Sequence, residues 1–447
     1  MKWEKICNNF FIIKLPPKKN DILIQTLPFK VVEISASSKK NDILKIINKM
    51  KLNAKNYESF RGYFAIDLVI TTRCNLRCKY CYALSEKKEG FYGLEPEDMS
   101  INTASKIIDI SLHYFEREIK KAKTDKLKFD LFISGGEPLL NLKCVKYILK
   151  EFTEKINLLS KKYNAHVDFS SEIATNGTKI DDKISKLFKK YNTQVVITLD
   201  GKLHDKKRMY VDGSGSLNDV LNALKILIRN NNKIKLQSII PINKIDEQNT
   251  VLEFYKKHGL LDKIKRVHLI PQASPIFDRY LEKDKKTIKE KNKEFYKMYG
   301  ESLFKMGKEF DLDIKNYQGR MFRSIEIGGL DHRCPAALWK LSFVPSGDIY
   351  PCHQLTNIKE FHMGNVNDGI DRIKIDSSKI KSVFRKRFVW NVTPCKDCVF
   401  QTICIPFVDC PARCFLETGN LNTVPDYYCE IHKPYMEKLL EKFILKK

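Results

Sequence analysis

The chain has no run of eighteen apolar residues anywhere in its 447, which argues against a membrane span. Its first stretch, MKWEKICNNFFIIKLPPKK, holds an apolar patch of only four residues and no small-residue cleavage site. We read no secretory signal there, and a cytoplasmic location is expected. Arginine is sparse beside lysine, and this bears on the net charge of +26. Nucleic-acid binders cluster basic residues, often arginine, on one surface. Here the lysines are spread along stretches such as KDKKTIKEKNKEF (283–295), interleaved with glutamate and aspartate. The mixture of Lys, Asn and Ile is that of A/T-heavy codons. This argues against a nucleic-acid partner, and an acidic peptide would suit the charge equally well. No internal repeat is evident. Cysteine is not scarce: thirteen in a chain expected to stay reduced point to metal or redox chemistry before disulfides.

The length suggests two or three domains, and 43% apolar residues suffice for sizeable cores. Residues 11–15, 21–27 and 30–34 read as short strands, and NDILKIINKMKL (41–52) as an amphipathic helix. Residues 1–60 are therefore expected to form a small β-β-β-α module. From residue 63 β-rich runs (63–70, 128–133, 166–173, 194–199, 234–240, 266–270) alternate with helical patterns (101–122, 142–163, 181–190, 217–231, 247–258). Six such units imply an α/β fold, a partial (β/α)6 TIM-type barrel over 61–275, with its chemistry at the carboxyl ends of the strands. Residues 276–330, Lys- and Glu-rich, read as a helical bridge. Residues 331–447 form a cysteine-rich C-terminal domain that holds eight of the thirteen cysteines.

TTRCNLRCKYCYA (71–83) directly follows the first barrel strand and places Cys74, Cys78 and Cys81 as C-x3-C-x2-C. Three thiols are odd for disulfide pairing and one short of a closed zinc site. An iron–sulfur cube takes four ligands, so three cysteines leave one iron open. A zinc loop completed by a distant ligand is the alternative.

CNLRCKYC resembles the signature of radical S-adenosylmethionine (SAM) enzymes. The resemblance implies a four-iron, four-sulfur cluster on Cys74, Cys78 and Cys81, with SAM chelating the open iron and Tyr80 against the adenine. It extends over about residues 63–275. SGGEP (134–138) supplies Gly135, Gly136, Glu137 and Pro138, where glycine lets backbone approach a ligand and Glu137 could accept from the SAM ammonium. Asn176 in ATNGT (174–178) and Thr198 in ITLDG (197–201) fall where relatives surround the ribose and the carboxylate. Arg208, at the end of HDKKR (204–208), resembles the arginine that pairs with the SAM carboxylate. Taken singly, SGGEP is also a tight strand-to-helix turn.

The second cysteine set runs Cys334-x12-Gly347-x4-Cys352, then Cys395-x2-Cys398-x5-Cys404, then Cys410, Cys414 and Cys429. By spacing alone, two cubes and a zinc-ribbon pair are equally compatible. The pattern resembles the SPASM domain of peptide-modifying radical SAM enzymes, which usually binds two auxiliary four-iron, four-sulfur clusters. By position, Cys334, Cys352 and Cys410 would serve the first, and Cys395, Cys398, Cys404 and Cys429 the second. Five residues rather than the usual three separate Cys404 and Cys410. Cys414 either supplies the remaining ligand or leaves the first auxiliary cluster an open iron. Cys7 and Cys144 lie outside both sets and are read as structural.

The resemblance implies a peptide or protein substrate. It also implies an electron donor such as flavodoxin or ferredoxin. One branch matures ribosomally made precursor peptides by crosslinks, thioethers or epimerisation. Another oxidises sulfatases to formylglycine with an Asp base just after the second SPASM cysteine, where this chain has His353. The first reading is expected, with the sulfatase maturase as alternative and a zinc-binding nucleic-acid-associated protein as a remote one. Residues 1–60 either grip a leader peptide at a sheet edge or cap the barrel.

Overall fold

The computed structural model describes residues 3–52 with short gaps, 62–122 apart from 82 and 84–92, and 127–272 apart from 242–246 and 265. It further describes 334–369, 379–402 and 410–425, with a few single positions nearby. The expected bridge, 276–330, lies outside the described residues. Contacts divide the chain into two compact units, one of 1–59, 289–334 and 386–447, the other of 60–288 and 335–385. These borders cut across the four segments read from the sequence.

In the first unit, β1 (Trp3–Cys7), β2 (Phe10–Ile13), β3 (Asp21–Thr26) and β4 (Phe29–Ile34) form an antiparallel meander, followed by α1 (Lys40–Leu52). Alternation along β2 and β3 puts Phe10, Ile12 and Leu23 on one face, where Ile43 and Ile47 of α1 pack with Ile34. Phe11 and Ile24, directly opposite one another across the strands, are equally buried. Both faces of the sheet are thus apolar at its centre. The structure has four strands here where three were expected. The additional one, WEKIC, is too short and too charged to carry a period-2 signal.

The second unit is built on six parallel strands: β5 (Tyr63–Val69), β7 (Leu127–Ser134), β8 (Val167–Thr175), β9 (Gln194–Thr198), β11 (Lys233–Pro241) and β12 (Arg266–Gln272). They neighbour one another in chain order. Between them lie α2 (Ile101–Lys121), α3 (Leu142–Lys162), α4 (Asp182–Lys190), α5 (His204–Lys207), α6 (Leu217–Arg229), α7 (Glu247–Lys257) and α8 (Leu260–Lys263). This is the (β/α)6 partial barrel expected. Helix α2 begins where Ser100 accepts from the Thr103 amide, satisfying one orphan donor of its first turn. The core centres on Phe129 of β7, whose ring lies 5.1 Å from Phe115 of α2, 5.5 Å from Phe152 of α3 and 6.0 Å from Phe64 of β5. Truncating Phe129 to alanine would cost about 3–5 kcal/mol.

Since Phe64 and Phe129 face the helices, the intervening Asp67 and Phe132 face the other side of the sheet. Two features had no local signature. A short ribbon pairs β6 (Leu76–Cys78) with β10 (Arg208–Tyr210). Beyond β5 the sheet continues with β13 (Lys340–Phe343), parallel to it, and β14 (Ile349–Tyr350), so the eight-stranded sheet has β12 at one edge and β14 at the other.

Candidate functional site: a three-thiol loop at the strand ends

The β5–β7 ladder runs on past the strands. Ile70 donates to Ser134 O (3.0 Å), Gly136 to Thr71 O (2.9 Å) and Glu137 to Arg73 O (2.8 Å). This lays the loop bearing Cys74 directly on the glycine pair. A Cβ at Gly135 would sit 2.5 Å from Thr71 O, and one at Gly136 only 2.2 Å from Arg73 O and 3.0 Å from the Cys74 Cβ. The glycines therefore admit the chain's own backbone, where the sequence suggested a ligand.

Glu137 is fully buried and accepts from Leu139 N (3.0 Å), Thr175 Oγ1 (2.7 Å) and Asn176 N (2.7 Å). Burial pushes its carboxyl up, and these donors pull it back only in part. Its first task is to tie the SGGEP turn to the end of β8. Pro138 opens the single turn Pro138–Asn141 that follows, where its missing N–H costs nothing. Asn176 donates to Asn75 Oδ1 (2.8 Å) and lies 4.0 Å from the Cys74 Sγ, and Asn75 donates to Thr178 Oγ1 (2.8 Å). Thr198 accepts from Gln237 Nε2 at 2.8 Å.

Cys78 lies on β6 opposite Arg208 on β10, and the Cys81 amide donates to Cys78 O (3.1 Å). Tyr80, buried, donates its hydroxyl to Asp200 and accepts from Arg208 Nη1 (3.0 Å). Asp200 also accepts from Ser238 Oγ (2.9 Å) and Ile239 N (2.8 Å). The Arg208 Nε is buried and has no hydrogen-bond partner among the described residues. Burial raises the Cys74 thiol to about 12, with Glu137 adding to it. Cys78 is also raised by burial, against the pull of Arg208. Such thiols give up their protons only to a cation that replaces them. Three thiols on one loop, beside an orphaned guanidinium donor, fit a cationic cluster and an anionic ligand group. Among the described residues no three Cys, His, Asp or Glu side chains converge closely enough to hold one small metal ion.

His353 follows Cys352 and lies with its ring 6.2 Å from that of Phe132. Its Nδ1 is 2.8 Å from Oδ2 of Asp67, an oxygen that Lys340 Nζ also reaches at 2.8 Å. Burial alone would push the Asp67 carboxyl up, but Lys340 and His353 hold it well below the usual carboxylate range. Sequence reasoning passed over Asp67 and Lys340. The available signal was a charge inside the apolar run YFAIDLVI, since a buried carboxylate demands partners.

Of the remaining cysteines, Cys352, Cys395 and Cys414 are buried, while Cys334, Cys398, Cys404, Cys410 and Cys429 are partly exposed. Cys395 and Cys398 share one tight turn, with the Cys398 amide donating to Cys395 O at 3.0 Å. Lys5 of β1 caps this turn through Lys396 O (2.7 Å) and Asp397 Oδ1 (2.9 Å). Cys410 and Cys414 lie one helical turn apart at the start of helix Pro411–Thr418, and Arg387 points at the Cys414 Sγ from 3.8 Å. Cys144 is fully buried on α3, and Cys7 lies on β1.

Fold and site together define an open β/α-barrel enzyme with a three-cysteine loop at the strand ends. Residues 68–255 match the family model of the Radical SAM superfamily. The radical SAM cyclopropyl synthase TigE of Paramaledivibacter caminithermalis is 24% identical over 390 residues, 85% of this chain and 74% of that one. A cysteine-type anaerobic sulfatase-maturating enzyme of Clostridium novyi is 24% identical over 388 residues, 83% of this chain and 94% of that one. Among solved structures, anSMEcpe with bound AdoMet matches with a TM-score of 0.61 at 20% identity, over 85% of this chain and 94% of that one. Streptococcus suis SuiB bound to precursor peptide SuiA matches with a TM-score of 0.50 at 14% identity, over 92% and 96%. These two likenesses bear on the fold. No described helix is long and apolar enough to cross a membrane.

Proposed function

We propose that this enzyme matures a ribosomally made precursor peptide by radical SAM chemistry, forming a crosslink, a thioether or an epimerised residue. The observation that carries the reading is the wiring of Cys74, Cys78 and Cys81 into the turns after β7, β8 and β9. When bound, the cluster and SAM supply reductive cleavage of the sulfonium and hydrogen-atom abstraction by the 5′-deoxyadenosyl radical. The chain's own residues hold and shield. Cys74, Cys78 and Cys81 are the cluster ligands. Arg208 offers its orphaned Nε to the SAM carboxylate. Asn176 and Thr198 border the ligand, and the Tyr80 hydroxyl holds the Arg208 guanidinium.

The eight cysteines of residues 334–429 support a reading of two auxiliary four-iron, four-sulfur clusters. Cys334, Cys352 and Cys410 would hold one, and Cys395, Cys398, Cys404 and Cys429 the other. An electron donor of the flavodoxin or ferredoxin type would supply the reducing equivalent. His353 stands where a base is used in the sulfatase branch. Its Nδ1 lies against Asp67 Oδ2 at 2.8 Å, which fixes the orientation of the ring.

Anoxic reconstitution tests the reading. About eight or more irons per chain are expected, with dithionite-dependent SAM cleavage. Bound zinc without iron would end it. Cys74→Ala, Cys78→Ala or Cys81→Ala should each abolish cleavage and leave the auxiliary iron in place. Sulfatase maturation is the second reading, favoured by the similarity to the Clostridium novyi enzyme. Incubation with a sulfatase peptide separates the two by whether formylglycine appears.

A further inference from the structure

Only the last residue of HDKKR (204–208) has so far been given a task. On the same turn His204 faces inward and Asp205 lies at the surface. His204 is fully buried, and its Nδ1 accepts from the Asp200 amide at 3.3 Å. A nitrogen that accepts carries no proton, so in the neutral ring Nε2–H is the donor. Its partner is Ser216 Oγ, 3.1 Å away. The Ser216 hydroxyl in turn donates to Arg208 O at 2.6 Å. The three bonds run in one direction and use each hydrogen once.

Beside them, Asp205 Oδ1 accepts from the Leu217 amide (2.7 Å) at the start of α6. Gly215 passes so close that a Cβ there would lie 2.4 Å from the Asp205 Cγ. The turn is therefore fastened to residues 215–217 at two points. What it fastens are Asp200 by its amide and Arg208 by its carbonyl. The side chains of these two meet at the Tyr80 hydroxyl. Burial depresses the His204 imidazole to about 3, with the charges on Arg208 and Lys207 adding to it, so the ring stays neutral as the relay requires.

We propose that His204, Asp205 and Ser216 form a latch that positions Arg208, through the backbone of Asp200 and Arg208, so that the guanidinium receives the carboxylate end of SAM. They are positioning residues, for none of them reaches the ligand groups itself. The inference rests on the SAM-binding role given to Arg208 above. A latch differs from a structural prop in what its loss changes. Releasing the Arg208 carbonyl lets the guanidinium wander and weakens SAM binding, while the thiol loop keeps its cluster.

The test uses the reconstituted full chain with Ser216→Ala, Ser216→Thr and Asp205→Asn. SAM affinity is read by equilibrium binding and by the SAM-induced change in the spectrum of the reduced cluster. Cleavage is read separately as KM and kcat. Ser216→Ala should weaken SAM binding and raise its KM about tenfold, with kcat and iron content near wild type. Ser216→Thr, which keeps the hydroxyl, should bind within about twofold of wild type. Asp205→Asn keeps an acceptor oxygen but loses its charge, and should fall between. It serves as the readout if Ser216→Ala fails to fold. Unchanged affinity in Ser216→Ala, or equal losses in Ser216→Ala and Ser216→Thr, would overturn the latch. Wild type that neither binds nor cleaves SAM would instead overturn the reading beneath it.

Discussion

Gly136→Ala puts the contact between the glycine turn and the thiol loop to a direct trial. The added Cβ would sit 2.2 Å from Arg73 O, against 3.4 Å for ordinary contact, so about 1.2 Å must open between the two strands of backbone. The Glu137 N–H to Arg73 O bond, 2.8 Å in the wild type, would stretch to about 4 Å and fail. The Gly136 N–H to Thr71 O bond would weaken with it. Two backbone hydrogen bonds at about 1 kcal/mol each, plus the overpacking itself, give a loss of roughly 3–4 kcal/mol. Cys74 is the next residue and moves with Arg73. A displacement near 1 Å in a reacting centre can cost about 100-fold in rate.

The assay is dithionite-driven SAM cleavage, with iron content and thermal melting recorded on the same sample. Gly213→Ala is the control. Its Cβ would meet nothing within 4 Å, and its positive φ of 85° costs about 1 kcal/mol of strain with no effect on the loop. Cleavage should collapse in Gly136→Ala and persist in Gly213→Ala. Equal rates in Gly136→Ala and wild type would show that the loop does not lie on the glycine, and the account of the site would fail there.

Asp67→Ala removes the oxygen that Lys340 and His353 share and should cost about 1.5–3 kcal/mol, measured by chemical denaturation. Because the Asp67 carboxyl is held below its unfolded value near 3.8, the stability it contributes is present above that pH and is lost as the pH falls through and below it. His204 works from the other side. Its imidazole falls from 6.5 to about 3 on folding, so below pH 6.5 the unfolded chain takes a proton that the native state refuses. Stability should drop by about 1.4 kcal/mol per pH unit from 6.5 downward, or about 2 kcal/mol by pH 5. His204→Gln should be less stable at pH 7 but show a flatter profile over that window, and parallel profiles would contradict the buried neutral ring.

The barrel was legible because each of its strands is a short apolar run bounded by helical periodicity, and that signal is local. Strand β8 and helix α3 begin and end within about two residues of the reading. What escaped is non-local or too short. Three-residue β6 and β10 carry no periodicity, and only their pairing brings Arg208 opposite Cys78. Lys340 stands far along the chain from Asp67, and no pattern in either segment announces the other. The SGGEP glycines were recognised as a site of close approach, but sequence cannot say what approaches: a cofactor and a neighbouring loop make the same demand for a missing side chain. His204 and Ser216 were invisible for a related reason. A buried histidine has a meaning only through the two atoms it touches.

The parallel seam between β5 and β13 has a consequence for biogenesis. Strand β5 is among the first parts of its unit to leave the ribosome, yet its neighbour on that side comes from residues 340–343. At about 5–20 residues per second, the interval is roughly 15–55 s. Throughout it a nascent chain displays a bare row of amides and carbonyls on an apolar strand, the kind of margin that recruits other chains. Translation that stalls before residue 340 should therefore yield aggregating fragments, and a slow codon stretch after α8 would be harmful where one after β14 would not.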